Sequence, residues 1–130
     1  MNRKLMTATL GCALAFGLSI TAFAASTNFT ANLPAHQGDT EVSTVRKATD
    51  TKSFSVTIDS IGSGTDKVCV WTEGDSTGKN YSSPYNQVGV ETKSISYTTQ
   101  PKVGENVVLN LDNPVDLATS VKVTGSWTPN

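Results

Sequence analysis

The chain carries the run Ser120-Val121-Lys122-Val123-Thr124-Gly125-Ser126-Trp127-Thr128, in which two residue classes alternate strictly. Val121, Val123, Gly125 and Trp127 share one parity. Ser120, Lys122, Thr124, Ser126 and Thr128 share the other. Successive side chains of a strand point to opposite faces, so this run predicts a strand with one buried and one wet face. Ser53 to Ile58 (S-F-S-V-T-I) repeats the pattern, with Phe54, Val56 and Ile58 inward. Val107 to Leu111 does so too, with Val107, Leu109 and Leu111 inward. Asp66 to Glu73 (DKVCVWTE) is apolar on both parities, Val68 and Val70 on one, Cys69 and Trp71 on the other. A strand covered on two sides reads that way. Weaker strand patterns run over Phe29–Leu33, Glu41–Ala48, Asn86–Val90 and Lys93–Thr98.

Composition supports the same class. From Ala25 onward the chain holds 16 Thr, 13 Ser, 13 Val and 3 Ile, against 4 Leu and 5 Ala. β-branched side chains suit a pleated surface and crowd a helix. No window keeps a helical period. A single helical turn near Val115–Ala118 is the one exception expected. Ile61-Gly62-Ser63-Gly64-Thr65 separates two strong strands and predicts a hairpin. Gly74–Asn80 reads as a polar loop, and Pro84, Pro101 and Pro114 mark further breaks. The expected fold is an all-β antiparallel sandwich of seven or eight strands. Phe54, Val56, Ile58, Val68, Val70, Trp71, Leu109, Leu111, Val121, Val123 and Trp127 are expected to be buried. Residues 25–28 and 129–130 are expected to fray.

The first 24 residues have another character. Arg3 and Lys4 precede an apolar run from Leu10 to Ile20, followed by Ala22-Phe23-Ala24. Positive n-region, short h-region and A-x-A site predict a secretory signal peptide over residues 1–24, cleaved after Ala24. One domain, residues 25–130, follows. The expected location is extracellular, with no membrane association after cleavage. This domain has eight basic and eleven acidic side chains, a net charge of −3. That balance gives no footprint for nucleic acid. One cysteine remains in it, Cys69, so it has no internal disulfide to form. A small exported domain without staples fits a bacterial source better than a eukaryotic one. Cys69 is expected to be a buried apolar residue, since no basic cluster accompanies it to lower its pKa.

Chemistry-bearing patterns are few. No serine lies in G-x-S-x-G, and the nearest approach, Gly62-Ser63-Gly64, is a glycine turn. The chain's one histidine, His36, falls in a polar loop. Zinc lacks ligands, and neither Asp75–Asn80 nor Leu111–Asp116 follows the EF-hand pattern. Six of the acids, Asp39, Asp50, Asp66, Asp75, Asp112 and Asp116, sit where turns and strand ends favour Asp. A domain this small is expected to leave little room for a deep cleft. The expectation is therefore no enzyme, no catalytic residue, no metal and no cofactor. Asn28-Phe29-Thr30 and Asn80-Tyr81-Ser82 match the glycosylation sequon, idle in a bacterial host.

Seven aromatic residues fall in 25–130. Parity places Trp71 and Trp127 in the core. Tyr81 and Tyr85 lie in the polar, proline-broken stretch Asn80-Tyr81-Ser82-Ser83-Pro84-Tyr85-Asn86. There a ring can present its face or bond through its hydroxyl. Asn80, Tyr81 and Tyr85 are the candidate ligand-binding residues, both tyrosines exposed, with a cell-wall glycan or another surface molecule as partner. A toxin-like or antimicrobial protein is the alternative. A small hydrolase follows, to be revived by a pocket with convergent carboxylates or with His36 beside a serine.

The order of these features resembles small exported proteins of Gram-positive bacteria in a family of uncharacterised function. The resemblance rests on the signal peptide, Phe29–Ala35, Ser53–Val56, Val68–Trp71, Asn80–Ser82 and Val121–Pro129. These are packing motifs. The resemblance implies a secreted all-β domain and brings no catalytic residue with it.

Overall fold

The structure, a computed structural model, describes residues 25–130. The expected signal peptide lies outside them. Eight strands follow in order: β1 (Thr27–Leu33), β2 (Thr40–Arg46), β3 (Ser53–Ile61), β4 (Val68–Gly74), β5 (Asn86–Val88), β6 (Thr92–Ser96), β7 (Asn106–Asp112) and β8 (Val121–Thr128). They form two four-stranded sheets, β1-β8-β3-β6 and β2-β7-β4-β5, with every pairing antiparallel. The fold is an eight-stranded β-sandwich.

Each sheet turns one parity of its strands inward. Phe29, Ala31 and Leu33 meet Phe54, Val56, Ile58, Val121, Val123 and Trp127 from the first sheet. Val68, Val70, Val88, Val107, Leu109 and Leu111 face them from the second. The alternation of β8 is reproduced residue for residue, with Trp127 buried and its indole Nε1 donating to Ser43 Oγ at 2.6 Å. That bond joins β8 to β2 in the opposite sheet. Gly125 is glycine for lack of space: a Cβ there would collide with the Thr57 carbonyl oxygen and press on Phe29. The β3–β8 register shifts between Ile58 and Ser60, next to this close approach.

Four sequence expectations need correction. The Ile61–Thr65 segment is no hairpin but a crossover, since β3 and β4 belong to different sheets. Both edges of β3 are already filled, by β6 and β8, and Gly62 N–H prolongs the second pairing by donating to Lys122 O at 2.8 Å. The chain then turns away through Gly64, whose φ of 107° suits glycine. Val115–Ala118 forms no helical turn. Trp71 is buried but sits outside the inter-sheet core, on the outer face of β4.

The ends are the fourth correction. Thr27 and Asn28 are paired in β1, and Pro129 and Asn130 are tied down by Lys47. Lys47 is 1% exposed. Its ammonium donates to the carbonyl oxygens of Thr51, Pro129 and Asn130 at 2.8, 3.0 and 3.1 Å, and to Thr51 Oγ1 at 3.2 Å. It also lies 4.7 Å from the Tyr97 ring centroid, and Tyr97 OH donates to Pro129 O at 2.8 Å. A buried charge is tolerated when its donors are all used, as here.

Candidate functional site

The outer face of the second sheet is not flat. β4 sends Cys69, Trp71 and Glu73 to it, the parity opposite to the core residues Val68 and Val70. By register, Cys69 stands beside Asp112 of β7 on one side and Gln87 of β5 on the other. These side chains form the floor of a groove of about 480 Å³. That volume lies in the range of small-ligand sites. The groove is an open concavity rather than a deep cleft, walled by loops on either side of β4.

One wall is the β1–β2 loop. His36 and Gln37 both adopt positive φ, 61° and 54°, which non-glycine residues do at some cost. The turn is held by the β7–β8 loop. His36 N–H donates to Leu117 O at 2.8 Å, and Gln37 Nε2 to Asn113 O at 3.2 Å. His36 Nδ1 lies 3.1 Å from Asp116 Oδ1, an exposed pair. Asp112 Oδ1 accepts from Gly38 N–H at 3.1 Å and from Asn113 N–H at 2.6 Å. Gln37, Asp39 and Asn113 are thereby set along the groove.

The other wall is the segment between β4 and β5. Asn80 bridges Glu73, and Tyr81 N–H donates to Thr72 O at 2.8 Å. The buried Ser82 Oγ accepts from Thr72 N–H at 2.9 Å. Thr98 N–H donates to Tyr81 O at 2.8 Å. The backbone is therefore fixed from two sides before Pro84 turns it outward. Tyr85 follows, 84% exposed, its backbone N–H on Ser83 Oγ at 3.3 Å.

The three residues singled out from sequence are thus divided. Asn80 and Tyr85 line the groove. Tyr81 turns away from it, half-buried against the core, and its hydroxyl donates to Glu105 Oε2 at 2.9 Å. Burial, then the hydrogen bond and charge of Glu105, push its phenol up, against a smaller opposing effect of Thr77. It is a packing residue. Sequence reading missed Trp71, Gln37, Gln87, Asn113 and the carboxylates as groove residues. For Trp71 the signal was present, since its parity opposes that of Val68 and Val70.

The chemistry available is polar and aromatic. Asp39, Glu73 and Asp112 line the groove, and no basic residue does. Among the described residues His36–Asp116 is the one ion pair, so these three carboxylates have no cationic neighbour within contact. Asn113 is 1% exposed, and its side-chain Nδ2 and Oδ1 have no hydrogen-bond partner. Cys69 is half-buried rather than fully buried. Burial, then the charge of Asp112, pushes its thiol up, so it stays protonated and a poor nucleophile at neutral pH. Among the described residues no group of three His, Cys, Asp or Glu is placed to hold a metal ion. No protein-family model matches the chain, and no curated protein and no solved structure matches it.

Proposed function

We propose that this chain is an exported, non-enzymatic binding module that takes a glycan in the groove on the outer face of the second sheet. The observation that carries the reading is Tyr85. A ring 84% exposed, beside a groove floored by Trp71 and lined by amides and carboxylates, suits a sugar. A pyranose has an apolar face to stack on the ring, and hydroxyls that both donate and accept. The n-region, h-region and Ala22-Phe23-Ala24 pattern supports export.

Retention of residues 25–130 on immobilised cell-wall polysaccharide tests it. Retention should fall at least tenfold with Tyr85→Ala. Equal retention of the variant, or none for either protein, removes the reading. N-terminal sequencing of secreted protein should begin at Ala25.

A second reading is a small glycoside hydrolase, favoured by the placement of Asp39, Glu73 and Asp112 on one groove. Two carboxylates flanking a scissile bond are what that chemistry needs. Release of new reducing ends from a bound polysaccharide, lost in Glu73→Gln, would establish it. Binding without release leaves the module reading in place.

A further inference from the structure

We propose that the sugar held in this groove carries a free amine: the ligand is an aminated glycan of the glucosamine type, bound as its ammonium form. The proposal rests on the glycan-binding reading and names its ligand class.

The argument starts from charge. Asp39 comes from the β1–β2 loop, Glu73 from the end of β4, and Asp112 from the end of β7. They reach one concavity from three separate segments, and no Lys or Arg lines it with them. Carboxylates lining a walled cleft with no Lys or Arg beside them give it a negative field. A ligand bearing phosphate, sulfate or carboxylate would be repelled by that field. A neutral sugar would gain nothing from it. An ammonium would be drawn to it.

The second observation is independent of charge. Asn113 lies at the groove wall, almost fully buried, with both its carboxamide oxygen and nitrogen unpartnered. Leaving such groups unpaired is costly, and native proteins seldom do so without a use for them. Its backbone is fixed, since its N–H donates to Asp112 and its carbonyl accepts from Gln37. In the proposed complex the Asn113 side chain rotates out of its buried position to meet the ligand. The oxygen then accepts from an ammonium and the nitrogen donates to the adjacent hydroxyl. A 2-amino-2-deoxy sugar presents that donor and that acceptor on neighbouring carbons. Tyr85 supplies the third contact, because an aromatic face attracts a cation as well as a C–H surface.

Three hexasaccharides with one β-1,4 backbone separate the possibilities: glucosamine, N-acetylglucosamine and glucose oligomers, titrated into residues 25–130 by calorimetry. The glucosamine oligomer should bind at least tenfold tighter than the other two. That margin should shrink as salt rises, since screening weakens exposed charge pairs. Glu73→Gln and Asp39→Asn, both leaving the Asp112 bonds intact, should each cut the preference severalfold, and Tyr85→Ala should weaken all binding. Equal affinity for the three oligomers, or a preference for glucose or N-acetylglucosamine, overturns the amine assignment and leaves the glycan reading standing. Glucosamine binding that neither Glu73→Gln, Asp39→Asn nor Tyr85→Ala alters is attraction to the acidic surface at large, and also overturns it. No binding of these oligomers or of cell-wall polysaccharide overturns both.

Discussion

Trp127 of β8 and Ser43 of β2 belong to different sheets, yet the indole Nε1 donates to the serine Oγ at 2.6 Å across the gap between them. The indole is the largest fully buried side chain of the domain, and its one polar atom is satisfied by a residue that is itself only partly buried. A buried donor left without a partner costs about 1–3 kcal/mol. Ser43→Ala is therefore expected to lose about that much stability, and Trp127→Ala about 3–5 kcal/mol through the cavity it leaves. Domains of this size hold only about 5–15 kcal/mol in total. Urea titration of both variants checks this. A Ser43→Ala midpoint equal to wild type would show that the bond contributes nothing.

Gly125 stands two residues before Trp127, on the same inward parity, between Phe29 on β1 and Ile58 on β3. The space for a side chain there is already taken by Thr57 backbone and by Phe29. Backbone cannot yield as a flexible side chain does, so Gly125→Ala should force the β3–β8 pairing apart. A loss of about 1–3 kcal/mol or more is expected from such overpacking. Alanine at the exposed Gly78 meets no atom, but its φ of 62° strains the backbone, so a smaller loss is expected there. Thermal melts of the two variants should rank in that order.

These inward positions were readable because a strand's period of two survives any tertiary context in which one face is buried. Pairing was not readable in the same way. Ile61–Thr65 has the length and glycines of a hairpin, and what makes it a crossover is that β8, more than 50 residues downstream, occupies the edge β4 would have taken. Lys47 gave no signal either, since its ligands at Pro129 and Asn130 are 82 and 83 residues away. The groove is the same case. It gathers residues from three loops and three strands, and none is unusual in its own stretch of sequence. Tyr81 and Tyr85 share one such stretch. Packing against the core and the bond to Glu105 hold Tyr81, while the turn at Pro84 leaves Tyr85 outside, and both depend on residues distant in sequence or on the local turn.

Alkaline pH should unfold this domain. Three acids hold their protons more tightly in the folded chain than in the unfolded one. Burial raises Tyr97, burial and Glu105 raise Tyr81, and burial and Asp112 raise Cys69. Their folded values lie above the ordinary ones, 9.0 for the thiol and 10.0 for the phenols. The stability they contribute is full below those values and is lost as pH rises through them. Lys47 works in the opposite sense. Burial lowers its value despite Asp50, so its contribution grows as pH climbs toward the ordinary lysine value of 10.5. Tyr97 carries the one large shift among the four, so the net is a decline. Its share of the slope is up to about 1.4 kcal/mol per pH unit above pH 10. Urea midpoints should fall between about pH 9 and 11, and Tyr97→Phe should flatten that fall. A variant that declines as steeply as wild type would remove Tyr97 as the cause.

The two neighbouring tyrosines should separate stability from binding. Tyr85 is exposed and gives its ring to no packed cluster, so Tyr85→Ala should leave the melting temperature within about a degree or two of wild type, as surface changes do. It should still weaken glycan retention at least tenfold. Tyr81→Phe does the reverse. It keeps the ring against the core but leaves Glu105 Oε2 with one hydrogen bond, from Lys102 N–H at 3.0 Å, in place of two. Hydrogen bonds to charged groups contribute about 1.5–3 kcal/mol, with the lower end expected at this half-buried position. Stability should fall by about that lower figure while retention stays unchanged, because Tyr81 lies outside the groove. Melting curves and column retention on the same two preparations give four readings. If Tyr81→Phe also lost retention, the groove would have to be redrawn to include the Tyr81 side of the segment.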